Sequence, residues 1–205
     1  MLPSAYDSYG EVLSLMQCGT PSPLLIANGE LRIRPLAEDD LEALAGWLAD
    51  ERVLEFYEGR DTSWPPDKVR THFFEEPACG DDFLRVAIEW RGAPIGYGQV
   101  YRLHDGLFDE YGLPDTGEVV YAMDQFIGVP ELWGKGLGTR YVNAVAEFLA
   151  AERGAAAVVM DPRVDNPRAV RCYQKAGFEV VRLLPAHELH EGELRDCWLM
   201  RRTLA

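Results

Sequence analysis

A glycine-rich run that follows an apolar strand pattern is the segment of this chain that most plainly suggests chemistry. Residues 133–139 read WGKGLGT, and Gly134, Gly136 and Gly138 would let the backbone approach an anion closely. Apolar residues then recur at helical spacing, so the run predicts a helix whose N-terminus binds a phosphate group. The run has neither the Lys-Ser/Thr pair of a P-loop nor G-x-G-x-x-G spacing, which argues against both common nucleotide-binding classes.

A carboxylate stands inside the apolar strand pattern just before this run. Asp124 lies in YAMDQF, where a charge costs several kcal/mol unless it is paired or solvated. Such perturbed carboxylates cluster at functional sites, although structural hydrogen bonding is the alternative. Asp124 is therefore the first candidate for acid–base chemistry.

Length and composition favour one domain with a cationic ligand. The 205 residues are 47% hydrophobic, so we expect one domain over residues 31–205 and an arm or appended hairpin of unknown role over residues 1–30. The net charge of −14 argues against a nucleic-acid backbone or an anionic membrane as partner. It favours a small cationic substrate, with simple solubility as the alternative.

Cysteine spacing and the first residues bear on metal binding and location. The four cysteines are widely separated and lack C-x-x-C spacing, and HELHE at residues 187–191 does not match the H-E-x-x-H zinc motif. We therefore expect no metal site. The first thirty residues contain no Lys or Arg, and no apolar run approaches the length of a membrane span. These features predict a cytoplasmic protein and leave monomer and homodimer open.

Hydrophobic periodicity predicts an α/β fold with a mixed sheet. The first half should contain a strand at 31–36, an amphipathic helix at 37–51, an aromatic and acidic loop at 53–66, a short helix at 67–74, a hairpin at 83–103 and a long acidic loop at 105–118. The second half should contain a strand at 118–126, the glycine run and its helix, a strand at 155–160, a helix capped by Asn166, and strands at 178–185 and 196–204. The ligand loop thus follows a central strand.

Several separated motifs, in this order, resemble the GNAT superfamily of acetyl-CoA-dependent N-acetyltransferases. More narrowly, the chain resembles the aminoglycoside 6′-N-acetyltransferases, including the acetyltransferase half of the bifunctional acetyltransferase–phosphotransferase resistance enzyme. The resemblance covers residue 31 to the end and rests on LADERVLEFYEGRD, PIGYGQVY, YAMDQFIG, WGKGLGTRYV, DPRVDNPRAVRCYQKAGF and LPAHELHEGELRDCWLM.

The resemblance implies the GNAT fold, in which two parallel strands of a mixed central sheet splay apart between flanking helices. It also implies acetyl-CoA as co-substrate, no metal, and direct transfer to the 6′-amine of an aminoglycoside in a ternary complex, with antibiotic resistance as the result. The implied acetyl-CoA-binding residues are Gln125, Phe126, Ile127, Trp133, Gly134, Lys135, Gly136, Leu137, Gly138, Thr139, Asn166, Ala169, Tyr173 and Lys175. One departure is Trp133, which stands where the superfamily motif has Arg or Gln.

The resemblance also assigns catalytic and substrate-binding roles. Asp124 would be the general base that accepts the ammonium proton, the Gln125 N–H would hold the oxyanion, and Tyr173 would either protonate the departing thiolate or serve as a core tyrosine. A polycationic substrate needs dispersed carboxylates and aromatic faces, and the candidates to bind it are Tyr57, Glu58, Tyr121, Asp124, Asp161, Glu188 and Asp196. Of these, Tyr57, Tyr121 and Asp161 match the family motifs best. The acids of the 105–118 segment are either further ligands for a polycation or a solvated surface: Asp109, Glu110, Asp115 and Glu118.

Two other functions remain open at this point. One is a GNAT enzyme that acetylates another amine, such as a polyamine, a peptide N-terminus or a hydroxylated lysine. The other is a non-catalytic CoA-binding sensor, against which the joint presence of Asp124, Tyr173 and the glycine run argues.

Overall fold

The computed structural model describes residues 26–75 and 82–204, and in that part of the chain eight strands form one mixed sheet. The strands are β1 (Ile26–Asn28), β2 (Leu31–Pro35), β3 (Phe83–Trp90), β4 (Ala93–Arg102), β5 (Val120–Ile127), β6 (Ala157–Met160), β7 (Glu179–His190) and β8 (Glu193–Thr203). The helices are α1 (Leu41–Trp47), α2 (Glu51–Leu54), α3 (Pro66–Arg70), α4 (Asp105–Tyr111), α5 (Leu137–Arg153) and α6 (Pro167–Lys175). Short 3-10 turns lie at Glu38–Asp40 and Pro130–Leu132, and a π-helical turn lies at Thr71–Glu75.

The sheet has the order β1-β2-β3-β4-β5-β6-β8-β7, and β5 and β6 are its parallel pair. These two strands pair only where Val120, Tyr121 and Ala122 face Ala157, Val158 and Val159. On its other side β5 pairs with β4 as far as Ile127. One backbone edge of β5 beyond Ala122 therefore turns away from β6, and this divergence confirms the mixed sheet with splayed parallel strands that was expected.

Apolar clusters cover both faces of the sheet. On one face, α5 buries Tyr141, Val145 and Leu149 against strand residues such as Tyr121 and Met123. On the other face, residues of α1 to α3 pack around Tyr97 and Phe126, while α4 packs around Tyr101 and Ala122. Because side chains alternate along a strand, Gln99 of β4 and Asp124 of β5 lie on that second face, between the two clusters.

The first helix departs from expectation, because the predicted helix at 37–51 is split. The buried Asp40 carboxylate accepts hydrogen bonds from both terminal nitrogens of Arg34 and from the Ala37 N–H, which holds a 3-10 turn before α1. After α1 the chain turns, and α2 starts again with Asp50 as its N-cap, accepting from the Arg52 N–H. Local side-chain hydrogen bonds thus compete with a continuous helix.

The predicted acidic loop at 105–118 was also wrong, because its first half is α4. Leu107, Phe108 and Tyr111 are buried on one side of this helix, and Gly112 closes it in the left-handed region. These three apolar residues at helical spacing are the signal that the run of acids obscured. The last two strands are longer than predicted, and HELHE lies mostly within β7.

The last residues of the predicted arm or appended hairpin at 1–30 lie in the described part of the chain. Ile26–Asn28 pairs with β2 as a hairpin, so the end of the predicted arm belongs to the sheet. Residues 1–25, with Cys18, and the segment 76–81, with Cys79, lie outside the described residues. In the part of the chain that the structure describes, no helix combines the length and hydropathy needed to cross a membrane.

Close packing of α5 on β4 generates a stability prediction at Gly98. A Cβ atom there would overlap the hydroxyl oxygen of the fully buried Tyr141 and lie 2.7 Å from its Cζ. We expect Gly98→Ala to lower the free energy of unfolding by about 1–3 kcal/mol through overpacking. Gly46→Ala is the matched control: nothing lies within 4 Å of the added methyl group, so Ala should raise stability by about 0.5–1 kcal/mol in this helix. Urea unfolding measures both, and equal effects would contradict the packing.

Candidate active site

A cavity of about 740 Å³ passes through the sheet where β5 and β6 diverge. One end is lined by the glycine run and α6, and the other by side chains of the second face and of β7. Both Asp124 and Tyr173 line it, although they approach from opposite faces of the sheet. The divergence therefore joins two chemically different chambers.

The glycine run forms the first chamber, and its backbone fits an anion. Gly134 and Gly136 have φ of 75° and 81°, in the left-handed region that favours glycine, and Gly136 is the N-cap of α5. The first N–H groups of a helix lack partners within it and carry positive charge, so they bind phosphate groups well. Gly134, Gly136, Leu137, Gly138 and Thr139 line the cavity, whereas Lys135 is exposed and does not.

Helix α6 supplies the opposite wall of this chamber. The Asn166 side chain accepts a hydrogen bond of 3.1 Å from the Ala169 N–H, so Asn166 is the predicted N-cap. The helix places Ala169, Tyr173 and Lys175 at the cavity, with Arg168 and Arg171, which the sequence analysis missed. Arg168, Arg171 and Lys175 recur every three or four residues on one helix, and this spacing was the signal that could have identified the two arginines.

Trp133, which stands where the superfamily motif has Arg or Gln, has a structural role here. Its indole N–H donates to the Ile127 carbonyl at 2.7 Å, and the Arg168 guanidinium lies 3.8 Å from its ring centroid. Arg168 also lies 4.6 Å from the ring centroid of Phe56. A cation between two aromatic rings ties the start of α6 to the glycine run and to the loop after α2.

The diverging edge of β5 lies between the two chambers, and Gln125, Phe126 and Ile127 line the cavity there. The Gln125 amide donates to the Tyr173 hydroxyl, and Tyr173 is 8% exposed. Burial raises the pKa of Tyr173 well above its ordinary value of 10.0. The tyrosine therefore keeps its proton at neutral pH, as an acid must.

Asp124 is held by a chain of buried hydrogen bonds. The Tyr97 hydroxyl donates to the Gln99 carbonyl at 3.0 Å, and the Gln99 amide donates to Asp124 Oδ2 at 2.9 Å. The Tyr101 hydroxyl is a further partner of the carboxylate. Burial, together with the charge of Asp161, raises the pKa of Asp124 to about 7, against the opposing effect of these hydrogen bonds. A carboxyl group with this pKa exchanges protons near neutral pH.

Asp161 follows β6 and is the centre of a second polar cluster. Its Oδ2 accepts from the Tyr111 hydroxyl at 3.2 Å and lies 3.0 Å from His187 Nε2. Glu188 lies beside it on β7, with Oε1 at 3.6 Å from Arg163 Nη1 and at 3.4 Å from His190 Nδ1. The sequence analysis missed Tyr111, His187, His190 and Arg163, because β7 and the bridge at Arg163 bring them together only in the folded chain.

The second chamber, which Asp124, Asp161 and Glu188 line, is called the acidic chamber below. The loop after α2 closes it. The ring centroids of Tyr57 and Phe126 lie 4.5 Å apart. Glu58, the next residue, has φ of 67°, a conformation that costs energy for any residue except glycine. Burial raises the pKa of Glu58 to about 7, and the neighbouring Glu188 and Asp124 charges add to this effect while Lys68 opposes it. The side chains of Tyr57 and Glu58 both line the cavity.

Two predicted substrate-binding residues are not at the cavity. Tyr121 points to the α5 face, and its hydroxyl donates to Asp82 at 3.2 Å. Asp196 is exposed and accepts from the Ala186 N–H. None of the acids named in the 105–118 segment lines the cavity, although Glu110 Oε1 lies 3.8 Å from His187 Nε2. Glu118 instead pairs with Arg201.

Metal binding finds no support in the geometry. Within residues 26–75 and 82–204, no group of three or more His, Cys, Asp or Glu side chains is placed to hold a metal ion. The carboxylates and aromatic faces of the acidic chamber fit ammonium groups.

The mixed sheet is split, with the anion-binding glycine run on one side and the acidic chamber on the other. This is the arrangement of an enzyme that transfers a group between two ligands. Residues 37–185 match the family described as "Acetyltransferase (GNAT) domain", and the chain belongs to this family. It is 31% identical over 153 residues to aminoglycoside N(6′)-acetyltransferase type 1 of Klebsiella pneumoniae, covering 75% of this chain and 76% of that protein.

Solved structures give the same result. A structure of AAC(6′)-Ib in complex with ribostamycin and coenzyme A superposes with a TM-score of 0.67 and 26% identity, covering 85% of this chain and 94% of that chain. A structure of AAC(6′)-Ib with coenzyme A and kanamycin has a TM-score of 0.65 and 26% identity, covering 84% and 94%.

The raised pKa of Asp124 predicts a pH-dependent change in stability when the charge is removed. Because this pKa rises from 3.8 to about 7 on folding, the charged carboxylate lowers stability above pH 7, and the cost disappears as the pH falls towards 4. We expect Asp124→Asn to raise the free energy of unfolding by about 1–3 kcal/mol at pH 8 and to change it little at pH 4. Urea unfolding at the two pH values tests this.

Asp39→Asn is the matched control, since Asp39 is exposed and lies outside the cavity. It should change stability by less than about 0.5 kcal/mol at either pH. A stability gain for Asp124→Asn of the same size at both pH values would contradict the raised pKa.

Proposed function

We propose that this protein transfers the acetyl group of acetyl-CoA to the 6′-amine of aminoglycoside antibiotics by direct transfer in a ternary complex, and so confers resistance. The observation that carries the proposal is the single cavity that connects the anion-binding glycine run with the acidic chamber beside Asp124. The likeness to aminoglycoside N(6′)-acetyltransferase type 1 supports the same substrate class. Residues 31–205 form the catalytic unit of this proposal, which acts in the cytoplasm.

The first chamber fits acetyl-CoA, which supplies the activated acetyl group. N–H groups at the start of α5 would hold the pyrophosphate, with Arg168, Arg171 and Lys175 adding positive charge. The β5 edge that diverges from β6 offers backbone donors and acceptors to an extended polar chain, in the manner of an added strand. Lys135 is exposed and would contribute only long-range charge.

Asp124 would act as the general base. An ammonium group must lose a proton before its nitrogen can attack a thioester, and a carboxylate with a pKa of about 7 can take it at neutral pH. The Tyr97–Gln99 chain fixes the orientation of the carboxylate. Backbone N–H groups of the β5 edge, that of Gln125 first, would stabilise the negative charge that develops on the carbonyl oxygen.

Tyr173 would protonate the departing thiolate. It lines the cavity on the acetyl-CoA side, stays protonated through burial, and is oriented by the Gln125 amide. No acyl-enzyme is required. Cys172 is a poor nucleophile, since burial raises the pKa of its thiol and its sulfur contacts Thr139.

The acidic chamber would bind the rest of the polycation. Glu58, Asp161 and Glu188 line it, and Tyr57 offers an aromatic face. Burial, with added repulsion from Glu188 and Asp124, raises the pKa of Glu58 to about 7, so a ligand with several ammonium groups would relieve that repulsion. A small cationic partner fits this chamber; a nucleic acid or a membrane does not match the charge of −14.

Substrate choice can be tested with two aminoglycosides that differ at one position. With acetyl-CoA, kanamycin should give rapid release of CoA thiol, and a relative with a hydroxyl group at the 6′ position should not. Thiol release is measured by absorbance with a disulfide reagent. Release from both compounds would contradict 6′ selectivity, and release from neither, with acetyl-CoA binding confirmed, would contradict aminoglycosides as the substrate class.

The role of Asp124 is tested by its pH profile. For the unsubstituted protein, kcat/KM for kanamycin should rise with pH through about 7, because the protonated carboxyl cannot act as a base. Asp124→Asn should lower kcat/KM by at least about 100-fold and abolish this rise. Asp39→Asn should retain both the rate and the profile, and a similar rate for all three proteins would exclude Asp124 as the base.

Tyr173→Phe tests the proposed acid. Since Phe retains the packing against Phe178, we expect kcat to fall by about 10- to 100-fold with little change in the KM for acetyl-CoA. Tyr141→Phe is the control, because this buried tyrosine of α5 lies outside the cavity. Steady-state kinetics of the two variants decides the matter: equal kcat values would leave Tyr173 with a packing role only.

A further inference from the structure

The contact between His187 and Asp161 has no role in the proposed reaction, and it places an imidazole on a carboxylate that faces the cavity. His187 Nε2 lies 3.0 Å from Asp161 Oδ2, and the two side chains are 10% and 24% exposed. Both residues line the acidic chamber. A carboxylate accepts hydrogen bonds but cannot donate them, so Nε2 carries the proton in this contact.

Other carboxylates also face His187. Glu110 of α4 has Oε1 3.8 Å from Nε2, and Glu188, next in the chain, adds negative charge. Glu188 is partly compensated by Arg163, at 3.6 Å. The Tyr111 ring is another neighbour, with its centroid 5.7 Å from that of the imidazole. The imidazole therefore sits among three carboxylates, and Asp161 makes its shortest contact.

We propose that His187 is a specificity-determining residue whose imidazolium competes with an ammonium group of the cationic substrate for the Asp161 carboxylate. This inference rests on the proposed function, since it assumes a substrate with a second ammonium group that reaches Asp161. When His187 is charged, Asp161 is already neutralised and the chamber attracts a cation less strongly. When His187 is neutral, the full charge of Asp161 is available to the substrate.

The protonation behaviour of His187 supports this assignment. Burial lowers the pKa of His187, but Asp161, Glu110 and Glu188 outweigh that effect and leave it above its ordinary 6.5. The imidazolium thus forms as the pH falls and persists to a higher pH than in a free histidine. Asp161 also raises the pKa of Asp124, so a charged His187 beside Asp161 opposes that rise.

His187→Gln separates charge from hydrogen bonding, because the Gln side-chain amide can reach Asp161 as Nε2 does but cannot become charged. At pH 6 the variant should have a KM for kanamycin about 3- to 10-fold lower than the unsubstituted protein, and a lower kcat because Asp124 is protonated more fully. At pH 9, where the native imidazole carries less charge, KM and kcat of the two proteins should converge. His104→Gln, an exposed histidine outside the cavity, should show no change at either pH.

A KM that is unchanged in His187→Gln at both pH values, or raised equally at both, would overturn the proposal and leave His187 as a hydrogen-bonding residue. The ion pair itself is tested without substrate by NMR titration of the His187 ring. Its midpoint should lie above 6.5 and fall in Asp161→Asn; an unmoved midpoint would overturn the ion pair. A normal titration with no acetylation of any aminoglycoside would instead overturn the proposed function.

Discussion

The parting of β5 and β6 after Ala122 is the constraint on which the rest of the site depends. Two neighbouring strands that stop pairing leave backbone groups without their usual partners, a cost that a fold tolerates only where something else can satisfy them. Here the gap joins the two faces of the sheet, so that Tyr173, on the α5 side, and Asp124, on the opposite side, line one cavity. If the strands had remained paired, the sheet would separate these two side chains.

Repulsion among carboxylates is the second determinant of the site. Asp124 and Glu58 are withdrawn from water and lie near other acids, which raises the pKa of each to about 7. Such a cluster lowers the stability of the free protein, and the apolar packing around α5 has to offset it. Binding of a polycation relieves the repulsion. The same charges that weaken the fold therefore give the cavity its preference for ammonium groups.

Sequence patterns predicted the elements whose signal is local. The glycine run, the Asn166 cap and the strand with Asp124 lie where periodicity and capping rules predicted. The rules failed where side-chain hydrogen bonds decided the outcome: Arg34, on the strand just before the first helix, binds Asp40, which holds a 3-10 turn ahead of α1. Helix α4 was missed because the acids of residues 105–118 obscured the three apolar residues through which the helix packs.

The site shows the same division between local and long-range information. Residues near the glycine run follow one another in sequence, so a motif could place them. The acidic chamber instead combines Gln99, Asp161 and His187 from three separate strand regions, and no spacing rule connects them. Tyr121 and Asp124 differ by three positions in one strand, and the alternation of side chains decides which one meets the cavity.

This distribution of residues along the chain has an evolutionary consequence. Nearly all groups at the acetyl-CoA end come from β5, the glycine run and α6, whereas the amine end also draws on β4, the loop after α2, α4, Asp161 after β6, and β7. Mutations in those outer segments can alter which amine is accepted while the thioester-binding half stays intact. A new acceptor specificity could therefore arise by a few substitutions without rebuilding the enzyme.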